Sequence, residues 1–475
     1  MLICKISDMN LSTYSSIIAK ITYVICLVTL IVSTTFSQTK ISQTEIEKCS
    51  IRLNEFSTSK KGTYSLAPAQ EIQVRGGLPN FFAKLNRGQK NVTIAYFGTS
   101  VTVQPGWRVM SFEWFQKQFP KTNMTMINAS LGGTGSLVGA FRADKDLIPC
   151  KADLVFIEFA GNDNGDATNN PLDVVRAMEG IVRKVWKNNP EADICFVYAF
   201  GSGDFKTLLA GNTPRGGTIH EFVAERYNLP SIQMSIAVAK LEQEGKLVNF
   251  APNTPNGMTP DGKIIFTEDG SHPTIPLGHA IWTEAVIRGL QHLQGVGVPK
   301  AHILPKPLLT DNWELAKTIS VDGNASFKGQ WDKFTSANCP YSKSIFESFP
   351  VLYRTSTAGS SFTIHFKGTT IGIKGVTGPD AGFINIQTDN NSPQKVCQFT
   401  VYSTSQSYGG RPLPGMENGV HSITWTLLDE KPDKQKILAA YKTPNHDKDL
   451  INNPEKYAPL MLSVGQILLV GEILP

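Results

Sequence analysis

The chain has 475 residues, of which 41% are hydrophobic and 18% are charged, and its formal net charge is +5. This length exceeds what one ordinary hydrophobic core accommodates, so at least two folded domains are expected. The positive charge is small and evenly scattered, and no basic run is present, which argues against a nucleic-acid-binding protein.

The first 37 residues have the layout of a signal peptide. Lys5 and Lys20 precede the apolar run 21–32, and small residues follow it up to Ser37. The run is shorter than the ~20 residues that a membrane-spanning helix needs. We therefore expect cleavage after Ser37 and a secreted or periplasmic protein without a stable membrane span.

The cysteines give no sign of a metal site. After removal of the signal peptide five remain, and their scattered positions match neither metal-ligand spacing nor a disulfide framework. One disulfide is compatible with the sequence, and Cys49 with Cys150 is only one of the pairings that remain open. We expect neither a metal ion nor another cofactor.

The middle of the chain predicts an α/β domain. Residues 38–90 form a polar lead-in, and strand and helix patterns alternate from Val92 onward. Buried strands are predicted over 92–97, 124–131, 153–160, 192–200 and 231–236, and amphipathic helices over 107–119, 171–188 and 275–293. Such a βαβ series predicts a parallel, doubly wound sheet with its strand ends on one rim. We place this domain at 91–298.

The sequence pattern changes after residue 298. Three prolines indicate a linker over 299–310, and short alternating runs broken by Gly, Pro and Asn follow. Alternating apolar residues over 362–366 and 371–373 predict a hairpin that turns at Gly368. Further strands are predicted over 383–386, 396–402, 422–428 and 461–470. We expect a β-sandwich over 311–475.

Residues suited to acyl transfer follow the predicted strands of the α/β domain. Ser100 follows the first strand after Gly98, and could be either a nucleophile or part of a helix cap. Gly133 offers an exposed backbone N–H, and the amide of Asn162 can donate to an oxyanion, although a turn asparagine is the alternative. Asp269 and His272 are three residues apart, so the carboxylate can orient the imidazole toward Ser100.

Two other histidines are weaker candidates for the base. His220 is read in a glycine-rich loop where Glu221 has the wrong spacing to orient it, and His279 is interpreted as a packing or surface residue. The chain contains no Gly-x-Ser-x-Gly, His-Glu-x-x-His or Walker motif. The glycines from Gly133 to Gly139 resemble a dinucleotide loop only weakly.

Taken in order, four sequence blocks resemble those of the SGNH (GDSL-type) hydrolases. They are Phe97-Gly-Thr-Ser100, Asn128-Ala-Ser-Leu-Gly-Gly133, Gly161-Asn162-Asp163 and Asp269-Gly-Ser-His272-Pro273. The resemblance implies a flavodoxin-like α/β/α fold of three layers and the catalytic residues Ser100, Asp269 and His272. It also implies an oxyanion hole built from the N–H groups of Ser100 and Gly133 and the side chain of Asn162. Thr99 departs from the family pattern, which has Asp before the serine.

The expected substrate is an acetylated glycan. The β-sandwich loosely resembles the jelly-roll domain that accompanies SGNH domains in some carbohydrate esterases, which implies removal of O-acetyl groups from a polysaccharide. Trp107 and Arg108 are the candidates for substrate contact, and core packing is the alternative for Trp107. A lipolytic esterase or lysophospholipase of the same fold, or a non-catalytic glycan-binding protein, remains an alternative function.

Overall fold

A computed structural model shows two structural parts, an α/β part with a parallel sheet and a β-rich part with antiparallel sheets. It describes residues 43–475 apart from 60–62, 89, 166–169, 253–256, 343–344, 346–348 and 442–444. The predicted fold class is therefore confirmed. The predicted signal peptide over 1–37 lies outside the described residues, and the domain boundaries stay a prediction.

Six strands form the main sheet of the α/β part, in the spatial order β1-β6-β5-β4-β2-β3. Strands β2 to β6 run parallel, and β1 pairs antiparallel with β6 at one edge. The strands are β1 (Ile72–Gln73), β2 (Val92–Gly98), β3 (Met124–Asn128), β4 (Leu154–Glu158), β5 (Asp193–Tyr198) and β6 (Ser231–Gln233). Burial on both faces explains their nearly continuous apolar sequence.

Helices pack against this sheet around one large core. Helix α7 (Pro171–Asn188) begins with a proline. Proline lacks a backbone N–H, but this costs no hydrogen bond because an N–H in the first turn has no acceptor within the helix. The helices are α1 (Gln43–Thr58), α2 (Pro79–Asn86), α3 (Ser100–Val103), α4 (Trp107–Gln118), α5 (Ser136–Asp146), α6 (Ala160–Gly165), α7 (Pro171–Asn188), α8 (Phe205–Leu209), α9 (Arg215–Arg226), α10 (Ser235–Gln243) and α11 (Leu277–Leu293). Single 3₁₀ turns cover Ile148–Cys150, Ser202–Asp204 and Trp313–Leu315.

Helices α5, α6, α8, α9 and α10 were not predicted from the sequence, and two further segments also differ from expectation. The lead-in joins the α/β part, because α1 and α2 bury apolar side chains in its core and β1 extends the sheet. A small parallel ladder of β7 (Leu247–Phe250) and β8 (Ile264–Thr267) lies outside the main sheet and directly precedes Asp269. The Asp–His loop therefore follows this ladder, whereas Ser100 follows a strand of the main sheet.

The β-rich part pairs a large sheet with a small one. The large sheet has the order β15-β14-β17-β13-β19-β9, with β10 and β16 also paired to β13, and the small sheet has the order β11-β12-β18. Leu462 and Val464 of the small sheet are buried in one core with Phe362 and Trp425 of the large sheet. The strands are β9 (Lys317–Ser320), β10 (Ser326–Lys328), β11 (Asp332–Phe334), β12 (Leu352–Thr355), β13 (Ser361–Thr377), β14 (Phe383–Thr388), β15 (Gln394–Cys397), β16 (Ser407–Leu413), β17 (Gly419–Leu427), β18 (Leu462–Val464) and β19 (Gln466–Ile473).

The hairpin predicted at Gly368 is wrong. Strand β13 continues through this glycine from Ser361 to Thr377, and the pairing with β19 shifts register between Gly368 and Thr370. The first half of β13 pairs with β17 and the second half pairs with β16. A side chain at Gly368 would collide with the backbone of β19, so the glycine permits close strand contact at a bulge.

The predicted linker lies against the α/β part. The carboxylate of Glu179 on α7 accepts the backbone N–H groups of Leu308 and Leu309, and Arg226 donates to the carbonyl of Lys306. Three short helices lie near the end of the chain: α12 (Lys434–Ala439), α13 (Lys448–Asn452) and α14 (Pro454–Tyr457). Within the described residues, no helix combines the length and apolarity that a bilayer crossing requires. Cys49 and Cys150 are both free thiols.

Candidate active site

Ser100 lies at the turn where the first main-sheet strand becomes a helix. Strand β2 ends at Gly98, and Ser100 is the first residue of the single-turn helix α3. Thr99 occupies the N-cap position, but its side chain does not cap the helix. Because the first N–H groups of a helix lack intrahelical acceptors, the backbone N–H of Ser100 has no acceptor within α3.

A continuous hydrogen-bond chain joins Ser100, His272 and Asp269. The hydroxyl oxygen of Ser100 lies 2.8 Å from Nε2 of His272, and Nδ1 of the same ring lies 2.6 Å from Oδ2 of Asp269. An imidazole with one nitrogen on a carboxylate and the other on a hydroxyl can accept the hydroxyl proton. The structure therefore brings together the three residues that the sequence analysis selected for acyl transfer.

Asp269 is organised by its own loop. Its Oδ1 accepts the backbone N–H groups of Ser271 at 2.8 Å and His272 at 2.7 Å. Partial burial alone would raise the pKa of Asp269, but hydrogen bonds from the His272 ring and from the two amides bring it well below its usual value. The carboxylate therefore stays ionised at neutral pH and fixes the His272 ring with its Nδ1–H toward Asp269.

On the other side of Ser100, Asn162 and the glycine turn lie together. Asn162, in the first turn of α6, donates from Nδ2 to the carbonyl of Thr134 at 3.0 Å. Its amide nitrogen carries a second hydrogen, which is available to a ligand. Gly133 adopts a φ of 70°, which favours glycine, and a side-chain carbon placed on Gly132 would lie 3.4 Å from Cβ of Ser100. This turn is therefore next to the hydroxyl of Ser100.

A buried Asp–His hydrogen bond lies behind the glycine turn. Asp163 accepts the backbone N–H of Ser136 at 2.9 Å through Oδ1 and bonds Nε2 of His220 at 2.7 Å through Oδ2. Both side chains of this Asp163–His220 pair are fully buried. Any side chain on Gly135 would collide with Oδ1 of Asp163. The pair thus supports the start of α5 and the glycine turn before it.

His220 is therefore not placed to act as the catalytic base. It lies on helix α9 and not in the glycine-rich loop expected from the sequence. The carboxylate that bonds His220 is that of Asp163, which was not identified as its partner from the sequence. It is 57 residues away and lies beside His220 because α6 packs against α9. With no exposed surface, the ring cannot contact a substrate.

Trp107 and Arg108 do not line a substrate site, so the expectation for them needs correction. Trp107 is fully buried, and its indole N–H lies 3.3 Å from Oγ1 of Thr102. Arg108 is 7% exposed, and its guanidinium donates to the carbonyls of Thr102 and Val103 at the end of α3. A cation at the end of a helix bonds carbonyls that lack helical donors. Both residues hold the turn that carries Ser100.

His279 is a packing residue, as one of its two interpretations predicted. It is fully buried on α11, its Nδ1 accepts the backbone N–H of Trp107 at 3.1 Å, and its Nε2 lies 2.9 Å from Oε1 of Gln104. Burial is the main reason that the pKa of His279 falls to about 4, and the neighbouring His272 ring lowers it further. The neutral ring thus joins α11 to the segment between α3 and α4.

An open cleft of about 770 Å³ borders the hydrogen-bond chain. Asp269, His272, Glu268 and Gln104 contribute polar groups to it, while Met258 and Ile275 contribute exposed apolar surface. Within the described ranges, no three His, Cys, Asp or Glu side chains are grouped so that they could hold a metal ion.

One buried residue beside Ser100 was missed from the sequence. Glu158 is the last residue of β4, is 1% exposed, and accepts hydrogen bonds from Thr99 and Thr102. A single charged residue inside the apolar run Leu154 to Phe159 was the signal that could have identified it, because buried carboxylates are rare without partners.

Comparison with known proteins shows similarity at the level of the fold. The chain resembles the crystal structure of a two-domain esterase (CEX) active on acetylated mannans, with 22% identity, a TM-score of 0.63, and coverage of 85% of this chain and 98% of that chain. The same kind of esterase co-crystallised with mannopentaose gives 21% identity and a TM-score of 0.62, over 87% of this chain and 99% of that one.

A third structure is an acetylxylan esterase from Geobacillus stearothermophilus, with 15% identity and a TM-score of 0.33 over 42% of this chain and 94% of that chain. No protein-family model matches the sequence, and no curated protein matches it either. At these identities, the two mannan-esterase structures establish that this arrangement of an α/β part and a β-rich part occurs in a solved protein.

Proposed function

We propose that this protein is a secreted serine esterase of the SGNH kind that removes O-acetyl groups from a polysaccharide or glycan. The observation that carries the proposal is the hydrogen-bond chain from the Ser100 hydroxyl through His272 to Asp269. The same three residue types serve acyl transfer in unrelated folds, because they provide a nucleophile, a base and an orienting carboxylate.

In the proposed reaction, Ser100 attacks the ester carbonyl while Nε2 of His272 accepts its proton. The negative charge that develops on the carbonyl oxygen is met by the N–H groups of Ser100 and Gly133 and by the amide of Asn162. Imidazolium then donates its proton to the sugar oxygen as its bond to the carbonyl carbon breaks, so that the sugar leaves with a free hydroxyl and an acetyl-enzyme remains. Water, deprotonated by His272, releases acetate and restores Ser100.

The arrangement of the donors supports this scheme. Asn162 is bonded to Thr134, so its amide stays beside the glycine turn, and the turn itself lies against Ser100. Three donors around one carbonyl oxygen supply the electrostatic stabilisation on which acyl transfer depends most. Within this proposal no metal ion or other cofactor takes part.

The glycan part of the proposal rests on the fold likeness and on the exposed cleft. The solved structures of similar two-part architecture are those of an esterase active on acetylated mannans, and an acetylated mannan is therefore the first substrate to test. The cleft beside His272 is open and combines carboxylate, amide and apolar groups. Sugar hydroxyls can form hydrogen bonds with the carboxylate and amide groups, and the apolar C–H faces of the sugar rings can pack against the apolar groups.

The experiment measures acetate released from acetylated mannan, acetylated xylan and acetylated pectin, and p-nitrophenol released from p-nitrophenyl acetate and from the long-chain ester p-nitrophenyl palmitate. We expect release from at least one polysaccharide and from the acetyl ester, and none with Ser100→Ala. A preference for the long-chain ester would favour the lipolytic alternative. A folded protein that binds glycans without releasing acetate would establish the non-catalytic alternative.

A further inference from the structure

The turn that carries Ser100 rests on one buried carboxylate, that of Glu158. Strands β2 and β4 are neighbours, and Glu158 pairs in register with Gly98, two residues before the serine. A side-chain carbon on Gly98 would lie 2.7 Å from the backbone carbonyl oxygen of Glu158 and 3.0 Å from its Oε2, so glycine lets the turn lie close to this residue.

Three hydrogen bonds from the turn converge on this single oxygen. Oε2 of Glu158 accepts the backbone N–H of Thr99 at 3.2 Å, the hydroxyl of Thr99 at 2.7 Å, and the hydroxyl of Thr102 at 2.9 Å. Thr99 and Thr102 flank Ser100 on either side. The carboxylate therefore fixes both the N-cap residue of α3, Thr99, and its third residue, Thr102.

The surrounding contacts set the direction of these bonds. Because the indole N–H of Trp107 donates to Oγ1 of Thr102, the hydroxyl proton of Thr102 is left to donate to Glu158. Thr99 likewise directs its hydroxyl at the carboxylate, leaving its N-cap position without a side-chain cap. The hydroxyl of Thr99, which could cap α3, is thus bonded to Glu158 instead.

From this geometry we propose that Glu158 is a positioning residue for the nucleophile: it holds Ser100 in line with His272 by anchoring Thr99 and Thr102. The inference rests on the proposed esterase function and adds to it a residue outside the four sequence blocks. Bonds to an ionised carboxylate are roughly twice as strong as those between neutral groups, so a carboxylate anchors the turn better than a neutral acceptor.

The electrostatics are consistent with this role. Burial raises the pKa of Glu158 to about 7, although the hydrogen bonds from Thr99 and Thr102 oppose the rise. Measurements at pH 8 therefore compare the ionised side chain of the wild type with its neutral replacement.

The test is Glu158→Gln, which keeps the shape and one acceptor oxygen but removes the charge. Two quantities are measured at pH 8: kcat and KM for p-nitrophenyl acetate, and the rate at which a fluorophosphonate labels Ser100. A small displacement of a reacting group can cost as much as ~100-fold in rate. We expect kcat and the labelling rate to fall about tenfold or more with KM within about twofold.

The matched control is Glu179→Gln. Glu179 is also fully buried and accepts three hydrogen bonds, but from Tyr227, Leu308 and Leu309, away from the serine turn. We expect Glu179→Gln to lower the midpoint of thermal unfolding, because it removes a buried carboxylate that accepts hydrogen bonds. We expect kcat to stay within about twofold of the wild type, because none of these bonds involves the serine turn. If Glu158→Gln does not fold, Thr102→Val replaces it, since this removes one donor and keeps the carboxylate.

The outcomes separate this inference from the proposed function. Wild-type labelling rate and kcat in Glu158→Gln, or in Thr102→Val where that variant is needed, would overturn the positioning role while leaving the esterase assignment intact. A raised KM with unchanged kcat would overturn it too. A wild-type chain that neither hydrolyses esters nor reacts with the fluorophosphonate would remove the proposed function, and this inference with it.

Discussion

The hydroxyl of Ser100 and Nε2 of His272 are 2.8 Å apart although the two residues are separated by 172 positions in the chain. The two residues belong to different elements, because Ser100 follows a strand of the main sheet and His272 follows the small ladder of β7 and β8. Their meeting depends on the packing of α11 against α4, to which the His279 ring contributes. The proposed chemistry is thus a property of the tertiary fold.

Asp269→Asn should strongly reduce catalysis. The substituted amide can place an N–H toward Nδ1 of His272, and the ring then loses the tautomer that leaves Nε2 able to accept the Ser100 proton. The corresponding change in a buried triad lowers kcat by about 10⁴, and because Asp269 is half-exposed we expect a loss of at least about 100-fold. Steady-state hydrolysis of p-nitrophenyl acetate, with circular dichroism to confirm folding, measures it.

Asp389→Asn provides the matched control. Asp389 bonds Nδ1 of His421 at 2.9 Å and accepts the N–H of Ser422 at 2.8 Å, so the β-rich part holds a second Asp–His hydrogen bond that is supported by a backbone amide. The other nitrogen of His421 meets a backbone carbonyl and not a serine. We expect kcat to stay within about twofold. Equal losses in the two variants would contradict the role given to Asp269.

His272→Gln and His220→Gln should separate the two candidate bases. Glutamine at 220 keeps a side-chain N–H for Asp163, so we expect reduced stability but kcat within about tenfold of the wild type. Glutamine at 272 cannot accept the Ser100 proton, and we expect a loss of at least about 1,000-fold. Both are compared by ester hydrolysis at a temperature where each variant is folded. The reverse order of losses would identify His220 as the base.

Arg108→Met tests whether Arg108 contacts substrate or supports the serine turn. Its guanidinium donates to the carbonyls of Thr102 and Val103, so its loss should disturb the end of α3. We expect kcat to fall several-fold, by roughly 1 kcal/mol in barrier height, with KM for an acetylated oligosaccharide unchanged. A raised KM with unchanged kcat would instead restore the substrate contact predicted from the sequence.

Acid should weaken the fold through His279. The pKa of this buried ring is about 4 in the folded state and about 6.5 when unfolded, so the unfolded chain binds the extra proton first as the pH falls. The contribution of His279 to stability is therefore present above pH 6.5 and lost toward pH 4. Between pH 7.5 and pH 5 the free energy of unfolding should fall by about 2 kcal/mol through His279.

The measurement is urea unfolding of the wild type and His279→Asn at both pH values. Asparagine can accept the N–H of Trp107 in place of Nδ1 but does not titrate in this range. We expect the variant to lack that part of the pH dependence. Parallel pH dependence in the two proteins would refute the assignment of this acid sensitivity to His279.

Local sequence signals predicted the five parallel strands of the main sheet and helices α4, α7 and α11, but not helices α5, α9 and α10. Strand β2 is predicted because a strand buried on both faces has a nearly continuous apolar sequence. Helix α7 is predicted because a helix buried along one face repeats apolar residues at helical spacing. Asp269 and His272 could also be paired from the sequence, since three residues separate them and one loop holds both.

Relationships between distant residues were harder to predict. Asp163 with His220, and Glu158 with Thr99, depend on which strands and helices become neighbours, and sequence periodicity does not record that. For Trp107 the sequence left substrate contact and core packing open, and the fold buries it against the serine turn. Gly368 resembled a hairpin turn because a bulge and a turn both require glycine.

The most direct test of the proposed function is to identify the residue that carries the acyl group. The protein is mixed with a fluorophosphonate, digested, and analysed by peptide mass spectrometry, with Ser100→Ala treated in parallel. We predict one adduct, on the peptide containing Ser100, formed at the rate at which esterase activity is lost and absent from the variant. Esterase activity that persists after labelling, or that Ser100→Ala retains in full, would contradict the assignment of Ser100 as the nucleophile.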